Sequence, residues 1–255
     1  MIDTHCHLDL EPLVLHLPRL LQEAASAGIA GFVVPGVHPD GWPRMSALAT
    51  SYPQILPAFG IHPMHAACVD EQTLAELEER AQGGIAIGEI GLDPTYTVPL
   101  ETQETAFREQ LRLGLKLGLP VLIHCRQAFA RTLEIMREER ADQVGGIMHA
   151  FSGSPEMARE FIRLGFAISI CGTVTWANAV RPLRVAGEIA LEHLVLETDA
   201  PDMTPQPYRK RFNRPAWMAE TAKRLAEIRG VSPEAVAAVT TANARRVLRL
   251  PVNEA

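Results

Sequence analysis

Short apolar runs recur along the chain and alternate with longer stretches whose apolar residues follow a helical spacing. Near-continuous apolar runs of this kind are typical of strands that are buried on both faces of a parallel sheet. The longer stretches end near Gly or near Gly/Pro pairs, where helices stop. The runs number eight and read MIDTH, GFVVPG, ILPAFGIHP, GIAIGEIGLD, LPVLIHC, GGIMHAF, GFAISICG and HLVLETDAP.

Six amphipathic stretches between the runs predict helices. They read PLVLHLPRLLQEAASAG, DEQTLAELEERAQ, LETQETAFREQLRLGLKLG, RTLEIMREERA, PEMAREFIRLG and ANAVRPLRVAGEIA. Two further helical patterns, AWMAETAKRLAEI and PEAVAAVTTANARRVLRL, follow the last run and complete the outer ring of helices. Because eight parallel strands that alternate with helices form a barrel, we predict an α/β fold, a TIM-type (β/α)8 barrel, as a single domain over residues 1–255.

Polar side chains stand at the ends of six of the eight runs. They are His5 and His7 in the first run, His62 in the third, Glu89 in the fourth, His124 in the fifth, His149 in the sixth and Asp199 in the eighth. In a barrel, the carboxyl ends of all strands face the same mouth. The rival fold, an open doubly wound sheet, would spread these side chains along an edge, so their pattern favours the barrel.

Composition excludes several classes of protein. Hydrophobic residues make up 47% of the 255 residues and charged residues 21%, which is ordinary for a globular protein. The start of the chain does not resemble a secretory signal, no apolar run reaches the length of a membrane span, and four scattered cysteines fit a reducing cytoplasm. A net charge of −6 argues against a protein that coats DNA, although metal ions can still hold a phosphate locally. The sequence indicates no obligate protein partner.

His5 and His7 have the spacing of two ligands of one ion. On a strand, residues i and i+2 point to the same face, so both imidazoles can bind one metal while Cys6 points the other way and packs. The alternative is a pair of surface histidines at a frayed terminus. The other polar side chains that converge on the mouth favour the metal site.

Two carboxylates occupy equivalent positions, Glu89 in IGEIGLD and Asp199 in LVLETDAP. A carboxylate on a buried run is costly unless it is paired or bound to metal. Glu89 is a candidate catalytic residue that bridges two cations, with a helix cap or an ion pair as the alternative. Asp199 is a candidate metal ligand and proton acceptor. Asp93 fits a capping or supporting role, and Glu197 either supports the site or forms an ion pair inside the barrel.

His124 and His149 directly follow buried runs. A single histidine in such a place is often a core residue, but two of them together with the N-terminal pair favour a ligand set. Imidazole-rich ligation without thiolate suits zinc, manganese, nickel or iron, whereas magnesium prefers oxygen. The set suits one ion or two ions roughly 3.5–4 Å apart, as in many phosphoesterases. The predicted metal ligands are His5, His7, Glu89, His124, His149 and Asp199.

Two further side chains are candidates for substrate binding. His62, in GIHPMHA, either contacts substrate or leaving group or has a structural role beside Pro63. Arg126 is a candidate phosphate clamp, because a guanidinium matches phosphate oxygens; the alternative is an ion pair with Glu134. The run Arg209–Arg211 either receives a phosphate backbone or is a solvated basic loop.

Six motifs in order, MIDTHCHLD, GIHP, GEIGLD, IHCR, HAFSGS and LETDAP, resemble those of the TatD-type metal-dependent deoxyribonucleases within the amidohydrolase-like barrels. The resemblance runs from Met1 to the TANARRVL segment. It implies a barrel fold and two divalent metal ions, with Zn, Mn, Mg or Ni as candidates. It further implies that His5 and His7 hold one metal and that His124 and His149 hold the second. Glu89 would bridge the two metals, and Asp199 would complete the site.

The stretch after the last strand departs from the family pattern. Where the family often has Gly-Lys-Arg-Asn-Glu-Pro, this chain has YRKRFNRP, in which Asn213 and Pro215 match and Arg214 replaces the acid. Asn213 is therefore a candidate substrate contact, and the whole stretch resembles a less-studied branch of the family.

Three functions remain open on the sequence. The first is a cytoplasmic metal-dependent deoxyribonuclease that cleaves phosphodiester bonds with activated water. The second keeps the metals but hydrolyses another ester or an amide, such as a D-aminoacyl-tRNA ester. Basic side chains that face the metals would favour the first, and an apolar mouth the second. The third is a metal-buffering or scaffold protein, which predicts a closed ligand sphere.

Overall fold

Eight strands, all parallel, follow one another around one sheet in the order of the chain. This computed structural model describes residues 1–251, so the last four residues of the predicted domain lie outside the described part. The observed order confirms the predicted barrel. The strands are β1 (Ile2–Asp3), β2 (Gly31–Pro35), β3 (Ile55–Phe59), β4 (Ala86–Leu92), β5 (Val121–Cys125), β6 (Gly146–Met148), β7 (Phe166–Ile170) and β8 (Leu194–Leu196).

Hydrogen bonds bring the last strand back to the first. The backbone N–H of Thr4 donates to the carbonyl oxygen of Leu196 at 3.1 Å, and its hydroxyl donates to the same oxygen at 3.0 Å. Buried Asp3 accepts from the N–H of Thr198 at 2.9 Å and from its hydroxyl at 2.6 Å. An isolated parallel bridge between Cys6 and Ala200 extends this seam, the line of contacts between the start of the chain and the segment that follows β8. The start of the chain is therefore fixed beside the loop that follows β8.

Nine α-helices surround the strands within residues 1–251. The unpredicted one, α2, spans Trp42–Ser51, and only Trp42 and Met45 of it are buried, so its apolar stripe is too short to show clearly in the sequence. No described helix has both the length and the apolar character needed to cross a membrane. The helices are α1 (Leu17–Ser26), α2 (Trp42–Ser51), α3 (Glu71–Ala81), α4 (Leu100–Leu117), α5 (Phe129–Glu138), α6 (Pro155–Arg163), α7 (Arg181–Glu188), α8 (Met218–Arg229) and α9 (Pro233–Val247).

The barrel interior is filled by one apolar residue from each strand. Ala244 and Val247 of α9 pack against this layer, so α9 covers one end of the barrel. The neighbouring strand residues, such as Phe32 and Val34, belong instead to the larger core between strands and helices. Polar groups are thereby confined to the opposite end of the barrel. The interior layer consists of Ile2, Val33, Ala58, Ala86, Leu122, Ile147, Ala167 and Val195.

Candidate metal centre and active site

The two-residue period of the strands places functional side chains directly above the apolar layer. His124 follows Leu122 of that layer by two residues, and His149 follows Ile147 in the same way. Residues two apart on a strand point to the same face. The histidines therefore point into the mouth of the barrel, as the sequence predicts.

Glu89 reaches the mouth by a different route. It lies in the middle of β4 rather than at its end, three residues after the interior residue Ala86. Simple alternation would put the two on opposite faces. The pairing of β4 with β5 shifts by one residue between Ile87 and Ile90, which is the signature of a β-bulge. This bulge returns Glu89 to the inside of the barrel.

The two carboxylate oxygens of Glu89 face different histidines. Oε2 lies 3.2 Å from Nε2 of His5 and 4.0 Å from Nε2 of His7. Oε1 lies 2.7 Å from Nδ1 of His124, and it lies 3.6 Å and 3.7 Å from Nε2 of His62 and His149. Glu89 thus stands between two groups of imidazoles, which is the placement that a bridging carboxylate requires.

Asp199 faces the same space from the loop after β8. Its Oδ1 lies 3.7 Å from Nε2 of His7 and 3.6 Å from Nε2 of His149. Its backbone has a φ of 55°, and its N–H donates to the carbonyl oxygen of His5 at 2.9 Å. A positive φ at a residue other than Gly is uncommon and is found at functional sites. The seam between the chain start and this loop therefore sets the direction of the carboxylate.

Three groups of side chains each offer nitrogen and oxygen atoms that lie within 4.8 Å of one another, and two of these groups share His5. Glu89 and Asp199 belong to different groups. This division suits two ions held side by side, one near Asp199 and one near Glu89. The groups are His5 with His7 and Asp199, His62 with Glu89 and His124, and His5 with His149 and Glu197.

The residues present fit a metal. His5 is 1% exposed; its Nδ1 makes no hydrogen bond within residues 1–251, and its Nε2 has only the Glu89 carboxylate nearby, at 3.2 Å. A buried polar group without a partner is costly. Burial lowers the pKa of His5, and its ring stacks on that of His149 with centroids 3.4 Å apart. A neutral, buried imidazole beside carboxylates has the protonation state that metal ligation requires.

Two further carboxylates hold the histidines from behind. Oε1 of Glu197 lies 3.0 Å from Nδ1 of His149 and accepts a hydrogen bond from the N–H of Ala150 at 2.7 Å. Oδ2 of Asp93 lies 3.2 Å from Nε2 of His124. Burial raises the pKa of Asp93, but hydrogen bonds from His124 and Thr95 outweigh it and lower that pKa to about 2. Asp93 is therefore an ionised group that orients His124, in agreement with its predicted supporting role.

His62 presents a hydrogen-bond donor to the mouth. Its Nδ1 accepts from the N–H of Met64 at 3.2 Å, and burial lowers its pKa to about 3. The ring is therefore neutral at pH 7, and its proton lies on Nε2, which points toward Glu89. A neutral donor of this kind can contact an oxyanion of a substrate.

A cavity of about 860 Å³ opens above these residues, and Arg126 lies on its wall. Glu134, the alternative partner considered for Arg126, pairs instead with Arg131 at 2.6 Å. Arg209 and Arg211 line an adjoining cavity of about 420 Å³. Basic side chains thus lie around the mouth, although apolar residues such as Val37 and Val180 line it too.

Asn213 does not lie on the cavity wall. It is 0% exposed, and its side-chain N–H groups donate to the carbonyl oxygens of Thr198 and Asp202, each at 2.8 Å. Its Oδ1 accepts from the N–H of Arg214 at 2.9 Å. The expected substrate contact of Asn213 is thus not available in this structure, because all its polar atoms hold the loop that carries Asp199.

Sequence reasoning missed three side chains of the mouth. Trp176 and Arg181 come from the segment after β7, and Tyr96 comes from the loop after β4. The seventh run ends without a polar residue, so nothing at its end pointed to the site. The signal available was the aromatic residue in GTVTW, shortly after a barrel strand.

An eight-stranded barrel whose mouth gathers imidazoles and carboxylates is the architecture of a metal-dependent hydrolase. The family described as TatD related DNase matches residues 2–249. The chain is 36% identical over 253 residues to the uncharacterized metal-dependent hydrolase YabD of Bacillus subtilis, covering 98% of this chain and 99% of YabD. It is 35% identical over 241 residues to the protein named 3'-5' ssDNA/RNA exonuclease TatD of Cronobacter sakazakii, covering 90% of each chain.

The crystal structure of YjjV, a TatD homologue from Escherichia coli K12, superposes with a TM-score of 0.93 at 32% identity and covers 98% of both chains. The chain therefore belongs to the TatD family of metal-dependent hydrolases. The predicted family, fold and enzyme class are confirmed. The ligand assignments, taken residue by residue, stay a prediction.

Proposed function

We propose that this protein is a deoxyribonuclease that uses two divalent metal ions to hydrolyse phosphodiester bonds. The observation that carries the proposal is the division of the Glu89 oxygens between two groups of histidines. A bridging carboxylate between two ions is the common arrangement for phosphoester cleavage. The relative named as an exonuclease and the position of Arg126 at the mouth support a phosphate substrate.

The proposed ligands divide into two sets around Glu89. His5, His7 and Asp199 would hold one ion, and His124 and His149, which both face Oε1 of Glu89, would hold the other. The candidate ions are Zn, Mn, Mg and Ni. The imidazole-rich ligand set favours Zn, Mn and Ni over Mg. His124 would bind the second ion as a neutral imidazole, with Glu89 and Asp93 facing its two ring nitrogens.

Divalent ions at such a centre supply Lewis acidity, which makes water nucleophilic near neutral pH. Asp199 would be the group that accepts a proton from such a water. Burial raises the pKa of Asp199, but the neighbouring imidazoles of His149 and His7 outweigh it and lower the pKa below its usual value. The carboxylate is therefore ionised in the metal-free protein. The Nε2–H of His62 donates to a phosphate oxygen, and Arg126 binds the phosphate from the rim.

The first experiment strips the protein with a chelator and restores Mg, Mn, Zn, Ni or Co one at a time. Each form is assayed on single-stranded DNA, on a chromogenic phosphodiester and on a D-aminoacyl-tRNA. Glu89→Gln removes the bridging charge at nearly constant volume. Glu227→Gln, a half-exposed residue on α8, is the matched control.

We expect DNA cleavage that returns with metal, vanishes in Glu89→Gln and persists in Glu227→Gln. Turnover of the tRNA ester without any cleavage of DNA would support the metal centre and would contradict DNA as the substrate. Failure of the stripped protein to take up any metal would overturn the proposal as a whole.

The cytoplasm is the proposed compartment. All four cysteines are free thiols, and Cys6, Cys125 and Cys171 are buried. Burial raises the pKa of Cys125 and of Cys171 to about 12, which keeps these thiols protonated. A reducing compartment suits a chain with this use of cysteine.

A further inference from the structure

Four arginine side chains in residues 1–251 make neither an ion pair nor a hydrogen bond. Every other arginine lies within 4.0 Å of a carboxylate or donates to a backbone carbonyl oxygen. The four are Arg126, Arg181, Arg209 and Arg211, and all of them line the two cavities at the mouth of the barrel. In a protein of net charge −6, the arginines without partners are thus gathered around the site.

The two cavities adjoin. Arg126 and Arg181 line the one above the metal centre, and Arg209 and Arg211 line the other. Trp176 lines both cavities, together with Pro201, Asp202 and Met203. A groove therefore leads from the proposed metals past Trp176 to the basic loop.

This outer end of the groove is held in place before any ligand arrives. The indole N–H of Trp176 donates to the carbonyl oxygen of Thr204 at 2.8 Å, and the guanidinium of Arg209 stacks 4.1 Å above the indole ring. The loop itself is braced by the stacked rings of Tyr208 and Trp217, whose centroids are 4.1 Å apart. An aromatic ring flanked by cationic side chains is a surface that binds single-stranded nucleic acid.

We propose that Trp176, Arg209 and Arg211 form a subsite for single-stranded nucleic acid, away from the bond that is cleaved. A base stacks at Trp176, and the flanking phosphates pair with the two guanidinium groups. The subsite takes a single strand because Glu89 and His5 are almost fully buried below the mouth, out of reach of an intact duplex. This inference rests on the proposed function, since it extends the same substrate beyond the scissile phosphate.

Asp202 is the one carboxylate on the wall of the outer cavity within the described residues. The phosphates therefore lie on the side of Arg209 and Arg211, while the uncharged face of the base lies toward Asp202 and Pro201. A small diester fills only the inner cavity and does not use the subsite.

Binding is measured by fluorescence anisotropy with the protein as purified, in its metal-bound form. The probes are labelled phosphorothioate oligothymidylate, which resists hydrolysis, the matching oligouridylate and a duplex. The double variant Arg209→Ala/Arg211→Ala removes two cations from the groove. The control Arg137→Ala/Arg163→Ala removes two cations from the exposed faces of α5 and α6.

We expect the groove variant to bind oligothymidylate roughly tenfold or more weakly and to lower the salt slope of binding by about 1.4, or about 0.7 for each phosphate contact to a single strand. The control variant should match the wild type. Trp176→Ala should weaken binding more than Trp176→Phe, which keeps a stacking face. Equal binding of DNA and RNA probes would indicate a backbone-and-base site that ignores the sugar. Unchanged affinity and salt slope in the groove variant, or preference for the duplex, would overturn the subsite.

Steady-state kinetics separate this inference from the proposed function. If the subsite is real, the groove variant raises KM for oligothymidylate by about tenfold more than it changes KM for a chromogenic diester. If the wild type cleaves DNA and the groove variant has the same ratio of the two KM values as the wild type, the subsite is overturned and the proposed function stands. If the wild type cleaves no phosphodiester, the proposed function is overturned.

Discussion

Nδ1 of His149 lies 3.0 Å from Oε1 of Glu197, and both side chains are buried at the mouth of the barrel. The same oxygen accepts a hydrogen bond from the N–H of Ala150, so the carboxylate is held on two sides. The other ring nitrogen of His149 is thereby turned toward Glu89 and Asp199. A carboxylate behind a histidine in this way fixes the ring and raises its basicity as a ligand.

Glu197→Gln should weaken metal binding without removing a direct ligand of the proposed set. The amide keeps the shape of the side chain but loses the charge that orients and polarises His149. We expect metal affinity to fall about 10- to 100-fold, measured by competition with a chelating dye. Circular dichroism of the variant must match the wild type for this result to count. Unchanged affinity would show that Glu197 only fills space.

Metal affinity should rise with pH. Burial lowers the pKa of His149, but the negative charges of Glu197, Asp199 and Glu89 outweigh it and raise that pKa to about 10 in the metal-free protein. A ligand imidazole must be neutral, so a metal ion displaces this proton on binding. We expect about tenfold tighter binding for each pH unit between pH 7 and 10 for each proton released. Calorimetry in buffers of different ionisation enthalpy counts the protons, and a count of zero would contradict the prediction.

The same proton has a consequence for the stability of the metal-free fold. A pKa raised above the value near 6.5 of an unfolded chain means that the folded state binds the proton more tightly. This stabilisation is present in full below about pH 6.5 and is lost as the pH rises through about 10. Urea unfolding of the metal-free protein should therefore show a contribution from His149 that decreases over this range and is missing in His149→Gln.

Much of the fold and part of the site follow from the sequence alone. Eight apolar runs can close only as a barrel if their polar ends are to meet, and the period of two places His124 and His149 in its mouth. The bulge that turns Glu89 inward has no such signal, since it depends on how β4 pairs with β5. The sequence placed Glu89 at the end of its run, whereas the structure places it in the middle of β4; its role as a ligand stays a prediction.

Interactions between distant elements account for the rest. Glu104 of α4 and Glu134 of α5 both pair with Arg131, which leaves Arg126 at the mouth without a carboxylate. Which arginine finds a partner depends on helix packing that a sequence pattern does not contain. The position of Asn213 is similar, because its bonds go to carbonyl oxygens that only the folded loop brings together.

Asn213→Ala should reduce stability and metal affinity together. The substitution leaves the carbonyl oxygens of Thr198 and Asp202 without these donors, which costs about 1–3 kcal/mol for each one that stays buried and unpaired. The loosened loop carries Asp199, so the proposed ligand loses its fixed direction. Chemical denaturation measures the first effect, and metal titration the second.

Asn243→Ala is the matched control for that substitution. The Asn243 amide donates to the carbonyl oxygens of Leu191 and Leu194, each at 2.8 Å, before and at the start of β8. It makes the same kind of contact far from the mouth. We expect a similar loss of stability with metal affinity unchanged. Equal losses of metal affinity in both variants would mean that general loosening, and not the Asp199 loop, is responsible.

Gly60→Ala should disturb the site through the backbone. An added Cβ would lie 2.6 Å from the carbonyl carbon of Gly88, the residue before Glu89, and no side chain can move aside to relieve that contact. We expect overpacking to cost about 1–3 kcal/mol of unfolding free energy and metal affinity to fall as Glu89 shifts. Gly187→Ala in α7 is the control, since its Cβ would meet nothing closer than 3.8 Å and alanine favours a helix by up to about 1 kcal/mol. Guanidinium unfolding and metal titration of the two variants test this directly. If both alanines prove equally harmless, the close approach of these strands does not position Glu89.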